Sequence, residues 1–298
     1  MDSIREIVVL SGKGGTGKTS VASSLAYLAG KEAILADCDV DASNLHLIMG
    51  PDIIKKELFY GGEVAQIDIE TCIQCGKCKE VCRFDAISFS AGVHTIDNLS
   101  CEGCGYCSRV CPTGAITMMP RLSGEFYISG IRNGSQMSHA KLFAGGENSG
   151  KLVATVKKNA YRMAKERGCD YLITDGAPGI GCPVVSSLSG AKVALLVTEP
   201  TMSALHDLKR VLFVVRRFNA IPLLVINKSD INEAVSEEIK KFAKSEKIEY
   251  LADIPFNTAF VESMGKARIV TEENQFLKGI FESIWEKAKE VADSSVQN

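Results

Sequence analysis

Short apolar runs rich in β-branched residues punctuate the chain at Ile7 to Leu10, Ala33 to Ala36, Tyr171 to Thr174, Val193 to Thr198 and Ile221 to Ile226. They show little of the in-out alternation of a half-exposed strand, so they predict strands buried on both faces. Between and after them apolar positions recur at helical spacing, predicting helices over Lys18 to Ala29, Gly150 to Arg167, Ser203 to Phe218, Glu233 to Glu246 and Glu273 to Val291. Buried strands separated by helices predict a doubly wound, mostly parallel α/β sheet. In the last helix Phe276, Leu277, Ile280, Phe281, Ile284 and Trp285 form one stripe, while Lys278 and Lys287 mix with Glu282 and Glu286. That polar face is not the Lys/Arg-rich face of a membrane-surface helix, so the stripe reads as core packing. The Gly/Ser-rich stretch from Ser129 to Ser149, with Gly145-Gly146, reads as a flexible surface loop rather than a switch segment.

A different pattern fills the region from about 63 to 119. Aligning Ile67-Asp68 with Ile96-Asp97 at an offset of 29 residues places Cys72, Cys75, Cys78, Cys82, Ala86 and Ile87 on Cys101, Cys104, Cys107, Cys111, Ala115 and Ile116. Both runs have the spacing C-x2-C-x2-C-x3-C, and Pro112 follows the second. This spacing puts three thiolates on one cubic cluster and sends the fourth to the other. It predicts one [4Fe-4S] cluster on Cys72, Cys75, Cys78 and Cys111 and a second on Cys82, Cys101, Cys104 and Cys107. Gly76, Gly103 and Gly105 suit close backbone approach to a cluster. Paired zinc knuckles do not require the third and fourth cysteines or the closing proline, which disfavours zinc. The run resembles a two-cluster bacterial ferredoxin, with one departure: Arg83 follows Cys82 where that pattern has proline, which removes no ligand.

Ahead of the repeat, Gly12-Lys13-Gly14-Gly15-Thr16-Gly17-Lys18-Thr19, followed by Ser20, matches G-x-x-x-x-G-K-[ST] directly after an apolar strand and before a helical pattern. Glycines let backbone amides wrap phosphates, Lys18 reaches the β- and γ-phosphates, and the Thr19 hydroxyl suits magnesium. Gly12, Gly14 and Gly17 also satisfy a dinucleotide loop, but Lys18-Thr19 has no use there. Lys13 makes the loop similar to the deviant Walker A motif of the MinD/ParA/Mrp group of P-loop ATPases, which includes the nitrogenase iron protein. That resemblance implies that Lys13 reaches the nucleotide of a facing subunit in an ATP-bound homodimer. It extends through Asp37-Cys38-Asp39-Val40-Asp41, where Asp39 would orient the attacking water and help hold magnesium. In Asp175-Gly176-Ala177-Pro178-Gly179, Asp175 would bind magnesium through water and Gly179 would donate its amide to the γ-phosphate. Asn227-Lys228-x-Asp230 resembles the adenine-contacting segment, with Asn227 on the base; N-K-x-D also occurs in GTPases, and the resemblance favours ATP. The same resemblance implies catalytic roles for Lys13, Lys18 and Asp39.

Composition changes this picture little. The chain has 298 residues, 46% hydrophobic and 23% charged, with a net charge of -2, which gives no bulk reason to bind nucleic acid or anionic lipid. Eight of its 11 cysteines lie in the two runs; thiolate ligation fits a reducing compartment better than disulfides. The start of the chain reads neither as a signal peptide nor as a span, so a cytoplasmic protein without a membrane anchor is expected. Of the remaining thiols, Cys169 is expected to be an inert core residue, and Cys182 lacks the second thiol of the C-x-x-C found in Mrp-type relatives. The expected organisation is a split ATPase domain, 1–62 and 120–298, around an inserted ferredoxin domain, 63–119. The leading expectation is a Mg-dependent ATPase, slow without a partner, whose nucleotide-driven dimer rearrangement is coupled to electron transfer or docking of a redox or iron-sulfur partner. An iron-sulfur carrier and a MinD/ParA-like spatial organiser with a redox sensor are the alternatives.

Overall fold

The computed structural model describes residues 4–146 and 148–295. Met1 to Ser3 of the predicted leaderless start, and Glu147 of the predicted loop, lie outside the described residues. In chain order the strands are β1 (Arg5–Leu10), β2 (Ala33–Asp37), β3 (Asp52–Ile67), β4 (Ile87–Ser90), β5 (Val93–Ile96), β6 (Ile116–Gly130), β7 (Gln136–Leu142), β8 (Tyr171–Asp175), β9 (Val193–Thr198), β10 (Ile221–Asn227) and β11 (Glu249–Ile254). The helices are α1 (Lys18–Ala29), α2 (Leu45–Met49), α3 (Lys77–Val81), α4 (Tyr106–Val110), α5 (Ser149–Arg167), α6 (Cys182–Leu188), α7 (Met202–Arg217), α8 (Glu233–Ser245), α9 (Ala259–Gly265), α10 (Val270–Glu273) and α11 (Gln275–Ser294). No helix among the described residues is long and apolar enough to cross a membrane.

Nine strands form one sheet in the order β11-β10-β9-β1-β8-β2-β7-β6-β3, and β1 pairs in parallel with both β8 and β9. The β1 side chains show why its sequence does not alternate. Ile7 and Val9 enter one core with α1 and α11, while Val8 and Leu10 enter a second core with α6, α7 and α8. Helices on both faces favour apolar residues at consecutive strand positions, with the buried Glu6 the exception in β1. Of the predicted core stripe in α11, Leu277, Phe281, Ile284 and Trp285 are buried, whereas Phe276, at the start of the helix, is exposed.

The chain divides into two compact units, one of residues 1–57, 126–141 and 149–298, the other of residues 58–125 and 142–148. Three of the divisions fall inside strands, β3, β6 and β7, and the fourth lies directly before α5. In the smaller unit the repeat is visible in the hydrogen bonds: Asp68 N donates to Ala115 O and, 29 residues on, Asp97 N donates to Ala86 O, both at 2.8 Å. Gly76 and Gly105 open α3 and α4 with φ of 76° and 70°, left-handed values that favour glycine. Ala65, Ala86, Ile87 and Ile116 pack with Cys78 and Cys101 into its small core.

The Ser129–Ser149 stretch corrects the sequence reading of a surface loop. It contains the end of β6 and all of β7, and Ser129, Ser135 and Ser138 are buried. Each hydroxyl is satisfied: Ser129 with His139 Nε2 at 2.9 Å, Ser135 with the Ala33 carbonyl, Ser138 with the Val156 carbonyl at 2.9 Å. Small polar residues read as a loop, yet a serine bonded to main chain is an acceptable core residue.

A buried ion pair links β1 to the elements behind the sheet. Lys157 of α5 meets Glu6 at 2.8 Å and donates to the carbonyls of Ser187 and Ser189 at 2.6 and 2.7 Å. Thr174 and Tyr161 donate to the same carboxylate at 2.7 and 2.8 Å. With so many partners, the desolvation of two charges is offset locally.

Candidate functional site

The loop from Ser11 to Gly17 joins the carboxyl end of β1 to α1. Gly15 and Gly17 have φ of +81° and +93°, and a Cβ on Gly17 would sit 2.2 Å from Asn227 Nδ2, so a larger residue at 17 meets both strain and collision. The first turn of α1 carries no acidic residue and no side-chain cap. Its amides, Lys18 to Ser20 included, therefore present an uncapped helix start to an anion.

Three carboxylates surround one ammonium behind this loop. Lys18 Nζ lies 2.6 Å from Asp175 Oδ1 and 3.6 Å from Asp39 Oδ2, with Lys18 and Asp175 both buried. Burial works against the charged lysine, but Asp175, then Asp39 and Asp37, outweigh it and hold Lys18 above its ordinary value. Burial likewise pushes Asp175 up, against the pull of Lys18. At 2.6 Å the ion pair decides between these opposed tendencies, and Lys18 stays protonated. Asp37, to which no motif assigns a role, is fully buried; burial and then Asp175 push it up to about 7. It accepts from Ser43 Oγ at 2.7 Å and from Asp39 N at 3.2 Å. Asp175 Oδ2 is buried with no hydrogen-bond partner, and Lys18, which contacts the other Asp175 oxygen, lines a cavity together with Thr19 and Asp39. The oxygen donors of Thr19, Asp39 and Asp175 fit magnesium.

Gly14, Gly15, Gly17, Lys18, Thr19, Ser20, Asp39 and Asn227 line one cavity of about 650 Å³, within the size range of small-molecule sites. Sequence reading missed its far wall, Pro255 to Asn257 with Phe260, Val261 and Met264 of α9. Phe256, Val261 and Met264 are exposed, a feature of the fold that no local motif marks. Two predicted contacts have other partners here. Asn227 Nδ2 donates to the Thr16 carbonyl at 2.8 Å, bracing the loop, and the Gly179 amide donates to the Ser11 carbonyl at 2.9 Å.

Lys13 is turned onto its own chain. Its Nζ lies 2.7 Å from Glu199 Oε1 and within 3.4 Å of the Thr201 and Ser203 hydroxyls. The other oxygen of Glu199 takes Lys228 at 2.9 Å, and Lys228 also donates to the Gly15 carbonyl. Although partial burial opposes it, Lys13 and Lys228 hold the Glu199 carboxyl below its ordinary value. Glu199, Thr201 and Ser203 stand outside the motifs used to choose candidates.

In the smaller unit, one enclosed cavity is lined by Cys72, Cys75, Cys78 and Cys111, and a second by Cys82, Cys101, Cys104 and Cys107. The structure therefore brings together the same two sets of four that the spacing predicts, each borrowing one cysteine from the other run. Four sulfurs around an otherwise mostly apolar cavity fit a cubic cluster in donor type and number. Outside the runs, Cys38 is buried, and burial raises its thiol. Cys169 is also buried and donates to the Lys31 carbonyl, while Cys182 is exposed at the start of α6.

Comparison with known proteins agrees with both parts. Residues 65–118 match the model of the 4Fe-4S dicluster domain. Two uncharacterized proteins of Methanocaldococcus jannaschii are similar over almost their whole length: MJ0578 is 34% identical, covering 96% of this chain and 97% of the relative, and MJ0579 is 30% identical, covering 95% and 97%. Among solved structures, the septum site-determining protein MinD of Pyrococcus horikoshii in complex with Mg-ADP superposes with a TM-score of 0.58 at 18% identity, covering 98% of this chain and 99% of that one. The chain belongs to the family of the two Methanocaldococcus jannaschii proteins, and it has the MinD/ParA P-loop ATPase fold with a 4Fe-4S dicluster domain within it.

Proposed function

We propose that the protein is a magnesium-dependent ATPase in which ATP draws two copies together and the nucleotide state governs electron transfer, or docking of a redox partner, through two [4Fe-4S] clusters. The observation that carries the ATPase reading is the buried Lys18–Asp175 pair beside the uncapped start of α1, with Asp175 Oδ2 left without a partner. Amides of Gly14 to Ser20 bind the phosphates, and Lys18 exchanges its carboxylate partners for phosphate oxygens. Thr19, Asp39 and Asp175 would hold magnesium, which supplies charge neutralisation at the transferring phosphoryl group. Asp39, the least buried of the three carboxylates around Lys18, orients the attacking water. Asn227 keeps the loop in shape beside the base. For γ-phosphate contact the Gly179 amide leaves the Ser11 carbonyl, and Lys13 leaves Glu199 to cross to the facing copy.

The two cysteine cavities supply the second half of the reading: bound there, each cluster would carry one electron at a time. The split organisation, an ATPase of residues 1–62 and 120–298 around an insert of 63–119, belongs to the same proposal. Location in a reducing cytoplasm and a nucleotide-dependent homodimer complete it. The test is ATP turnover by anaerobic protein with its clusters oxidised and then reduced, with cluster EPR recorded with and without Mg-ATP. Coupling predicts that at least one readout responds to the other partner. Indifference of both would remove the coupling while leaving the ATPase reading to be tested by Lys18 variants.

A further inference from the structure

The 29-residue repeat makes the two cysteine cavities comparable position by position; beside the cysteines, three wall positions match and four do not. Ile67 matches Ile96, Gly76 matches Gly105 and Ile116 matches Ile87. The mismatches are informative because they share a direction. The cavity of Cys72, Cys75, Cys78 and Cys111 has Lys77 where the other has Tyr106, and Thr113 where the other has Phe84. The Thr113 hydroxyl lies 3.7 Å from Cys111 Sγ, and toward a thiolate ligand it can only donate. In the opposite cavity the position of Ile73 is taken by Glu102, a carboxylate. A fourth mismatch sets His94, a buried polar ring held by Gln74 at 2.8 Å, against the methyl of Ala65.

Adding an electron to a thiolate-bound cluster increases its negative charge. A nearby cation and a hydrogen bond to a ligand sulfur favour the reduced form, whereas a carboxylate and an apolar aromatic wall disfavour it. Lys77, Thr113, Phe84 and Glu102 therefore all act in one sense. Arg121 acts in the other, since it donates to the Cys101 carbonyl; it is held on main chain and lines neither cavity.

We propose that the two centres are unequal: a single electron on the chain rests at the centre of Cys72, Cys75, Cys78 and Cys111, and the centre of Cys82, Cys101, Cys104 and Cys107 is the lower-potential one. This rests on the two-cluster reading above. With clusters bound by these two sets of cysteines and an external one-electron donor, an electron arriving at the lower-potential centre would pass to the other, reoxidising the first as the second is reduced. The order of the centres thus gives the module a direction.

The test is a stepwise dithionite titration of the anaerobic full-length protein, following EPR and counting iron. About eight irons per chain with two waves, the electron preferring one centre at least tenfold (about 59 mV for a one-electron couple), is the expected result. Thr113→Val lowers only the higher wave, and Glu102→Gln raises only the lower one. Eight irons with a single wave, or a Thr113→Val shift confined to the lower wave, overturns the inference alone. Far fewer irons would overturn the cluster reading and this inference with it.

Discussion

The nucleotide site and the cysteine cavities solve the problem of holding charge in opposite ways. Around Lys18 the chain concentrates Asp37, Asp39 and Asp175 against one ammonium, and leaves Asp175 Oδ2 without a partner. Around the cysteines, walls such as Ile67, Ile96, Ile87 and Ile116 are mostly apolar, and polar groups appear as single intrusions. Under the proposed function, the first arrangement would serve a ligand that brings its own negative charge and metal, and the second a ligand that stays put while its charge changes by one. A site built of charges fails when one charge is removed, whereas a site built of ligands fails one cluster at a time.

Lys18→Ala is the sharpest way to break that comparison. ATP turnover should fall about 1,000-fold, since the phosphate cation and the partner of Asp175 are lost together, while the iron count stays unchanged. A variant with normal turnover would sink the P-loop assignment. Asp39→Asn should lower turnover about 100-fold with nucleotide affinity largely retained, measured by single-turnover assay beside equilibrium binding. Loss of binding equal to loss of rate would move Asp39 from water orientation to a purely ligand-holding role.

Glu199→Gln tests the conformation of Lys13. Freed from a carboxylate at 2.7 Å, Lys13 should let the ATP-bound dimer form at up to about tenfold lower protein concentration, read by analytical ultracentrifugation with a non-hydrolysable analogue. An unchanged or weaker dimer would show that Glu199 does not restrain the lysine. On the other side of the comparison, Cys111→Ser should remove about half of the iron and leave ATP affinity unchanged, measured by metal analysis and nucleotide titration. Complete loss of iron would mean that the two cavities assemble as one.

The smallest effect expected is a pH slope. Asp37 moves from 3.8 to about 7 on folding, so the folded chain binds a proton that unfolding releases. Stability of the nucleotide-free protein should therefore fall as pH rises from about 4 to about 7. Thermal melts across that window should show the slope in the native chain and lose part of it in Asp37→Asn. An identical slope in both would place the proton elsewhere.

What was legible from sequence followed the range of the interactions involved. The loop at Gly12 to Thr19 and the strand Val193 to Thr198 are encoded by neighbours in the chain, and the structure places both as read. Helix α11 begins two residues later than expected because α10 and the Asn274 cap, which accepts from the Leu277 amide, occupy its start. β7 was missed because Ser135 and Ser138 find their partners at Ala33 and Val156, far away in sequence. Glu199 was invisible for the same reason: nothing local marks an acid that meets lysines 186 and 29 positions away, at Lys13 and Lys228. The outer wall at Phe256 to Met264 is shaped by the fold and carries no motif.

The Lys157 cluster has a mechanical meaning. The loop that follows β8 is pinned at its beginning, where the Gly176 amide bonds to Val9 and a Cβ would strike Leu10 at 2.4 Å. It is pinned again at the end of α6, where Lys157 grips the carbonyls of Ser187 and Ser189. A lever fixed at both ends can only flex in its span. In the proposed reading, movement driven by the γ-phosphate would be confined to Ala177 through Gly181 and to the start of α6, where Cys182 is exposed.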